Sequence, residues 1–265
     1  MNFWDLQQSM TKYKFQPIAY PDEDIRPLMV IVNYYTGATP KGTLQDFMLN
    51  VPVNIPRPNL IKSLNVLEGQ SLANLKAGIK GNVGEILKSV FGKFSAKFSG
   101  DISSASTLQY RFADIQHCRI LEIPILDFLY ESKPKPLPHI LSFINEEDKA
   151  FIVTDILRSG VFGMIAQDQK GTNINMELAL GEVAGASLSA ETKKAFEGYM
   201  LYNNPEHPLP FAVRAFPFWY KKDEETGQLS WKYSSLPMQP HFSIIRPGVH
   251  YAAVKPSEIV PINKT

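Results

Sequence analysis

Residues 151–180 read FIVTDILRSGVFGMIAQDQKGTNINMELAL, and this stretch decides the fold. The first part, 151–166, is rich in β-branched and aromatic residues, which favours a strand. The loop 167–171 contains aspartate and glycine and can turn the chain back on itself. Beyond it, apolar residues alternate with polar or small ones, a strand pattern, at Ile174, Met176, Leu178 and Leu180. The stretch therefore predicts two antiparallel strands, the second of which has one apolar face.

A second segment, residues 72–112, also alternates but changes its period. Strand-like stretches at both ends flank residues 83–90, whose apolar positions have helical spacing. Seven basic and three acidic residues lie between Lys62 and Arg111, so the local net charge is +4. Two competing periods make the segment a candidate for refolding when its surroundings change. The apolar positions of its strand-like parts are Leu75, Ala77, Ile79, Phe94, Ala96, Phe98 and Ile102.

Two interpretations of these segments are open from the pattern alone. Their strand-like stretches are near the ~9–11 residues that a tilted strand needs to cross a bilayer. In a soluble sheet the same alternation places one face on the core and the other in water. The lysines allow a similar choice, between contacts to acidic lipid and an ordinary solvated face, at Lys12, Lys14, Lys76, Lys80, Lys93 and Lys97.

The flanking sequence indicates one mixed α+β domain. Residues 15–35 predict a strand, a proline-marked turn and a second strand, whereas 36–60 are expected to be mostly loop. Residues 208–220 and 228–233 predict two strands around a turn at 223–227. No Gly/Ser-rich linker or charge block divides the chain.

The first fourteen residues predict a short amphipathic helix. Phe3, Leu6 and Met10 fall on one of its faces, with Trp4 beside them. The helix either packs on the core or touches a membrane surface, because Phe3 and Trp4 near lysines suit a headgroup boundary.

The composition excludes several classes of protein. The chain has 265 residues, with 27 Lys plus Arg against 26 Asp plus Glu, and this balance argues against nucleic-acid binding through bulk charge. A single cysteine, Cys118, excludes an internal disulfide framework. No apolar run reaches the ~18 residues that a membrane-spanning helix needs, and the first residues lack a secretory pattern. We therefore expect a cytoplasmic protein.

Catalytic motifs are also missing from the sequence. The five histidines are scattered and fit no zinc spacing. His117 and Cys118 are adjacent, and neighbours on a strand point to opposite faces, so they are poorly placed as a nucleophile and its base. We expect no catalytic residue, no metal and no cofactor, and a buried structural role for Cys118.

Several short stretches together carry a family resemblance. In chain order they are YKFQPI (13–18), IRPL (25–28), YRFADI (110–115), ILDFL (125–129), FIVTDILRS (151–159) and PFAVRA (210–215). Their order and spacing, over roughly residues 13–233, resemble the short gasdermins of bacteria and, less closely, those of fungi.

The resemblance implies an α+β fold: a single gasdermin-N-like pore-forming domain over residues 1–233. Such a domain has a twisted central antiparallel sheet, peripheral helices and two amphipathic segments that refold into membrane β-hairpins. The implied function is pore formation and not catalysis. Cytoplasmic monomers assemble as a homo-oligomer on the acidic inner membrane, form a transmembrane β-barrel, and kill the cell as a defence against phage.

The resemblance also implies how the pore is controlled. A companion protease releases it by removing a C-terminal peptide, here the tail 234–265, whose apolar positions are Phe242, Ile244, Ile245, Val249, Tyr251 and Val254. The tail could instead only complete the fold or be a disordered end. Two wider alternatives are a fungal-type gasdermin activated by an incompatible partner without cleavage, and a soluble α+β binding module or enzyme with no membrane step. Many bacterial members carry a lipidated N-terminal cysteine, where this chain has Asn2, Phe3 and Trp4.

Overall fold

The structure is a computed structural model that describes residues 4–5, 15–18, 24–34, 37–61, 72–78, 96–98, 107–145, 149–174, 176–178, 197 and 200–235. Several predicted positions lie outside the described residues. They are the stretch 83–90, Phe3, Lys12, Lys14, Ile79, Lys80, Lys93, Phe94, Ile102, Leu180, and the tail residues Phe242, Ile244, Ile245, Val249, Tyr251 and Val254.

One sheet, called the core sheet below, contains eight strands within the described residues. Its main path runs β16 (Leu229–Tyr233), β15 (Leu209–Lys222), β10 (Ala150–Ser159), β3 (Met29–Tyr34) and β4 (Gly37–Thr43). Three short strands extend it: β2 (Gln16–Pro17) on β15, β9 (Gln116–Arg119) on β10, and β5 (Asn59–Ile61) on β9. All of these pairings are antiparallel.

A second sheet, called the hairpin sheet, contains most of the described part of the two amphipathic segments. Its path runs β1 (Trp4–Asp5), β6 (Leu72–Gly78), β8 (Thr107–Ala113), β11 (Val161–Gln167) and β12 (Asn173–Ile174), with β14 (Met200–Asn203) also on β11. The β1–β6 pair is parallel and the others are antiparallel. A separate antiparallel ribbon joins β7 (Ala96–Phe98) to β13 (Met176–Leu178).

Helices are short in the described part of the chain. Helix α1 is Glu122–Tyr130, α2 is Pro138–Leu141, and a 3-10 turn covers Leu44–Phe47. None of the helices in these ranges has the length and apolar character that a bilayer crossing requires.

Both faces of the core sheet are buried at its centre, in β3 and β10. Val30 and Ile152 pack with α1 residues in one apolar cluster, whereas Ile31 and Val153, their neighbours in the chain, belong to a second cluster. A strand covered on both sides needs apolar residues at successive positions, which explains why residues 151–153 do not alternate.

The two predicted turns are confirmed. In the 167–171 turn, Asp168 Oδ1 accepts hydrogen bonds from the backbone N–H groups of Lys170 and Thr172, both at 2.8 Å, and Gly171 has a φ of 81°. In the 223–227 turn, Asp223 Oδ1 accepts from the N–H of Thr226 at 2.7 Å, and Gly227 has a φ of 69°. Each glycine therefore occupies a conformation that other residues rarely adopt.

Two expectations are wrong. Residues Gly37–Thr43 form β4 where loop was expected, because Pro40 sits in an edge strand beside a register shift, a position that tolerates proline. Trp4–Asp5 form a strand within the predicted N-terminal helix, pairing in parallel with Ala73 and Asn74. The backbone of β6 supplies partners there that the local periodicity cannot reveal.

Candidate functional site: the amphipathic hairpin sheet

The cross-strand register gives the hairpin sheet one continuous apolar face. Directly paired residues of antiparallel strands lie on the same face of a sheet. Three rows of direct pairs cross it: Ala73, Phe112 and Phe162; Leu75, Tyr110 and Met164; and Ala77, Leu108, Ala166 and Ile174. The predicted positions Leu75, Ala77 and Ile174 therefore belong to one face. The register also decides the matching positions of β11, which the sequence left open.

The opposite face is mostly polar. Its rows of direct pairs are Asn74, Arg111 and Gly163; Lys76, Gln109 and Ile165; and Gly78, Thr107, Gln167 and Asn173. The predicted lysine Lys76 belongs to this face. The described hairpin sheet is thus amphipathic across four antiparallel strands.

The described side chains of β8 and β11 on the apolar face are part of the protein core in this form. Phe112, Phe162 and Met164 are fully buried. The ring of Phe112 stacks on Phe211 of β15 with 3.9 Å between centroids, and Phe162 stacks on Tyr202 at 4.8 Å. A face that meets lipid in another state must first lose the contact with Phe211, whereas Phe162 and Tyr202 are paired neighbours within the hairpin sheet.

The ribbon of β7 and β13 brings the two amphipathic segments together. Phe98 pairs with Met176, Lys97 with Glu177, and Ala96 with Leu178. Four of the positions predicted to meet lipid are therefore direct cross-strand neighbours. The alternation predicted each strand, but no local signal indicated that they pair.

A buried ionic cluster lies in the core sheet, centred on the fully buried carboxylate of Asp155. His117 Nε2 donates to Oδ1 at 2.8 Å, and Arg214 donates from Nη2 to Oδ1 at 2.8 Å and from Nε to Oδ2 at 3.0 Å. Thr154 Oγ1 donates to Oδ2 at 2.6 Å, while Arg119 Nε lies 3.6 Å from Oδ1. The cluster joins β9, β10 and β15.

The cluster keeps Asp155 ionised. Burial alone would raise its pKa, but the hydrogen bond from His117, the charge of Arg214 and the bond from Thr154 together lower the pKa below the ordinary value. A buried carboxylate needs such partners, because an unpaired one is strongly destabilising. The signal for this cluster in the sequence is the aspartate inside the apolar run 151–157, but the run does not say which residues pair with it.

Cys118 is buried and free, which confirms the prediction of a buried cysteine. Burial raises the pKa of its thiol, with the charge of Arg158 opposing the shift. The group is therefore a neutral thiol at neutral pH and a poor nucleophile. Among the residues described, no three His, Cys, Asp or Glu side chains are grouped so as to hold a metal ion.

A groove of about 580 Å³ lies between α1 and β16. Leu126 and Tyr130 line one side, and Trp231 lines the other and donates from Nε1 to Ser132 Oγ at 3.0 Å. The Tyr130 side chain is 92% exposed. Beyond β16, Ser235 Oγ donates to Glu122 Oε1 at 2.5 Å, so the chain passes the first turn of α1 as it enters the tail.

Sequence comparisons with known proteins agree on one family. A sequence profile described as the Bacterial Gasdermin Family matches residues 18–228. A gasdermin bGSDM of Gillisia limnaea is 23% identical over 215 residues, which are 79% of this chain and 79% of that protein. Another, from an unknown prokaryotic organism, is 24% identical over 238 residues, 83% of this chain and 86% of its own. Among solved structures, a bacterial gasdermin from Bradyrhizobium tropiciagri has a TM-score of 0.43 and 13% identity, covering 91% of this chain and 92% of that one.

Proposed function

This chain belongs to the bacterial gasdermin family, and on that premise we propose that it is a pore-forming effector. In this proposal the protein waits as a cytoplasmic monomer, binds acidic lipid of the inner membrane, and assembles with its own copies into a transmembrane β-barrel. Loss of membrane integrity then kills the cell and limits phage multiplication.

The observation that carries the proposal is the amphipathic four-stranded order β6–β8–β11–β12. The first two strands belong to the first amphipathic segment and the last two to the second, so two hairpins lie side by side and antiparallel throughout. Apolar rows on one face and polar rows on the other suit a barrel wall between lipid and water. Closure by several subunits is needed because an open strand edge has no backbone partners in lipid.

The lysines of the first segment support recruitment to anionic lipid. Lys76 belongs to the polar face of the hairpin sheet, and Lys97 is paired with Glu177 in the ribbon. Near a membrane surface each such cation contributes ~1 kcal/mol. Lys12, Lys14, Lys80 and Lys93 complete the proposed lipid contacts, with Phe3 and Trp4 at the N-terminus.

We further propose that the tail 234–265 restrains the resting monomer until a companion protease cuts it. The described chain ends at Ser235 beside Glu122, next to the α1–β16 groove. Edge strand β16 pairs with β15 and with no other strand in the described ranges, so an extended segment has an edge to join. The tail supplies six apolar positions for this groove, and each buried one adds at most ~1.5–3 kcal/mol. After a cut, the peptide is lost by dilution.

Dye release from liposomes tests both proposals. The intact chain is compared with a version carrying a protease site within 234–240, before and after cutting, on anionic and on neutral vesicles. We expect release after the cut and on anionic vesicles. Silence of the cut protein on every vesicle overturns pore formation and favours a soluble binding module. Full release by the intact protein overturns restraint by the tail.

A further inference from the structure

The core sheet and the hairpin sheet are joined by two strands that bend together. On one side of the bend Gln116 pairs with Arg158, and on the other Ala113 pairs with Val161. The two pairings share one register, so β9–β10 and β8–β11 are a single antiparallel ladder interrupted only at residues 114–115 and 159–160. Asp114 has a φ of 48°, which marks the turn of the chain there.

The strands that flank this ladder also change from one sheet to the other at the bend. Val161 pairs with Asn203 of β14, and Ser159 pairs with Leu209 of β15. The intervening residues 204–208, called the latch below, therefore span the bend on the outer side of this ladder. On its other side, β5 pairs with β9 and β6 with β8. The bend is thus a line across four strands.

Ser159 ties the two bent strands to each other. Its Oγ lies 2.6 Å from the carbonyl oxygen of Ala113 and 2.7 Å from that of Val161, and it accepts a hydrogen bond from Val161 N at 3.1 Å. The hydroxyl lies where the ladder is interrupted and contacts the backbone of both bent strands.

The latch packs directly against Gly160. Asn204 N donates to Gly160 O at 2.8 Å, and a Cβ added to Gly160 would lie 2.6 Å from Pro205 Cα and 2.9 Å from Asn204 O. Tyr202 Oη donates to His207 O at 2.7 Å and holds the latch closed on itself. Gly160 is not among the glycines with positive φ, so alanine suits its backbone. The three atoms nearest to the added Cβ all belong to the latch.

We propose that the latch, residues 204–208, holds the hairpin sheet at its resting angle to the core sheet by sitting on Gly160. Lifting it frees the bent ladder to straighten, and this is a step in the conversion of the monomer to its membrane-inserting form. The second half of this inference rests on the proposed pore function; the first half does not. Gly160→Ala destabilises the seated latch while leaving an extended ladder unhindered.

Hydrogen exchange on the full-length chain tests the latch directly. In Gly160→Ala, we expect the Asn204 amide to exchange about tenfold faster, because overpacking a tight contact shifts an opening equilibrium by roughly that factor. After tail cutting, the same variant should begin dye release from anionic vesicles with a lag about tenfold shorter. Tyr202→Phe keeps the ring that stacks on Phe162 but loses the bond to His207 O, and it should act in the same direction. Both variants therefore act on the opening equilibrium of one latch.

Ile152→Val is the control, since it loosens the core sheet away from the bend. It should leave both the Asn204 exchange and the lag unchanged. Unchanged Asn204 exchange in Gly160→Ala overturns the latch, with Tyr202→Phe deciding if that variant does not fold. Faster exchange with an unchanged lag overturns its role in insertion, as does an equally short lag in Ile152→Val. If the cut wild-type protein releases no dye, pore formation fails, while the exchange measurement still decides the latch.

Discussion

Arg214 of β15 donates two hydrogen bonds, at 2.8 and 3.0 Å, to the buried carboxylate of Asp155, its direct partner on β10. The register of the β10–β15 pairing shifts between Val153 and Asp155. The ion pair therefore links the two strands at a point where their backbone pairing is irregular. His117 of β9 donates a hydrogen bond to the same carboxylate, so the cluster links three strands.

Asp155→Asn should therefore destabilise the monomer strongly. The substitution leaves Arg214 without its charge partner in a mostly buried site, which typically costs ~3–5 kcal/mol. Urea unfolding measures the change. Glu224→Gln, on the exposed 223–227 turn, is the control and should stay within about 0.5 kcal/mol of the wild type. Equal stability of the two variants would show that the cluster contributes nothing.

The pH dependence of stability should carry the signature of the same carboxylate. Since the folded pKa of Asp155 is lowered, its ionised form stabilises the protein at neutral pH. That contribution is complete above the ordinary aspartate pKa of ~3.9 and is lost as pH falls through the lowered value. The measurement is the free energy of unfolding of the wild type minus that of Asp155→Asn, from pH 7 to 2. A difference that grows on acidification contradicts the assignment.

A charge on the side of the β7–β13 ribbon that is predicted to meet lipid should stop the pore. Leu178→Asp places a carboxylate at a position paired with Ala96, and a charge facing lipid costs ~2–4 kcal/mol at the bilayer midplane. Glu177→Asp is the matched control, because it puts the same group at the next position, on the alternate face. We expect dye release from the cut protein to be lost in the first variant and kept in the second. Undiminished release by Leu178→Asp refutes the assignment of this face.

Replacing Lys76 and Lys97 by glutamine should weaken binding to anionic vesicles. Two cations near the surface contribute ~2 kcal/mol together, and salt should reduce the difference from wild type because exposed charges are screened within ~8 Å at physiological ionic strength. Vesicle co-sedimentation at two salt concentrations measures both effects. Lys221 and Lys232, exposed in the core sheet, provide a double-glutamine control of equal charge. If both pairs behave alike, net charge and not position governs recruitment.

Tyr130→Ser should make the intact protein leaky if the tail occupies the α1–β16 groove. The side chain is 92% exposed in the described residues, so its loss costs the domain little, whereas a docked tail would lose an apolar contact. Val53→Ser is matched, since Val53 is 96% exposed and does not line the groove. Dye release without cutting is the readout. Silence of both variants places the tail elsewhere.

Local patterns predicted much of the described fold. The alternation at Ile174, Met176 and Leu178 marked strands because it repeats within consecutive residues, and the strands around the 223–227 turn followed from turn chemistry. The order of short stretches from 13 to 233 indicated the family, which the profile match over 18–228 confirms.

The tertiary structure alone decided the rest. Asp155 is 38 residues from His117 and 59 from Arg214, and no periodicity links such distant positions. Residues 151–166 were one uninterrupted strand by pattern, yet the structure divides them at Gly160 into β10 and β11, where the latch residues Asn204 and Pro205 contact the chain. Which face of β11 is apolar depended on its pairing with Phe112 and Tyr110. The sequence by itself determined the strands that flank the 167–171 and 223–227 turns and the segments that alternate. Cross-strand pairing, which forms only when distant strands meet, decided which residues share a face and where β1 and β4 form.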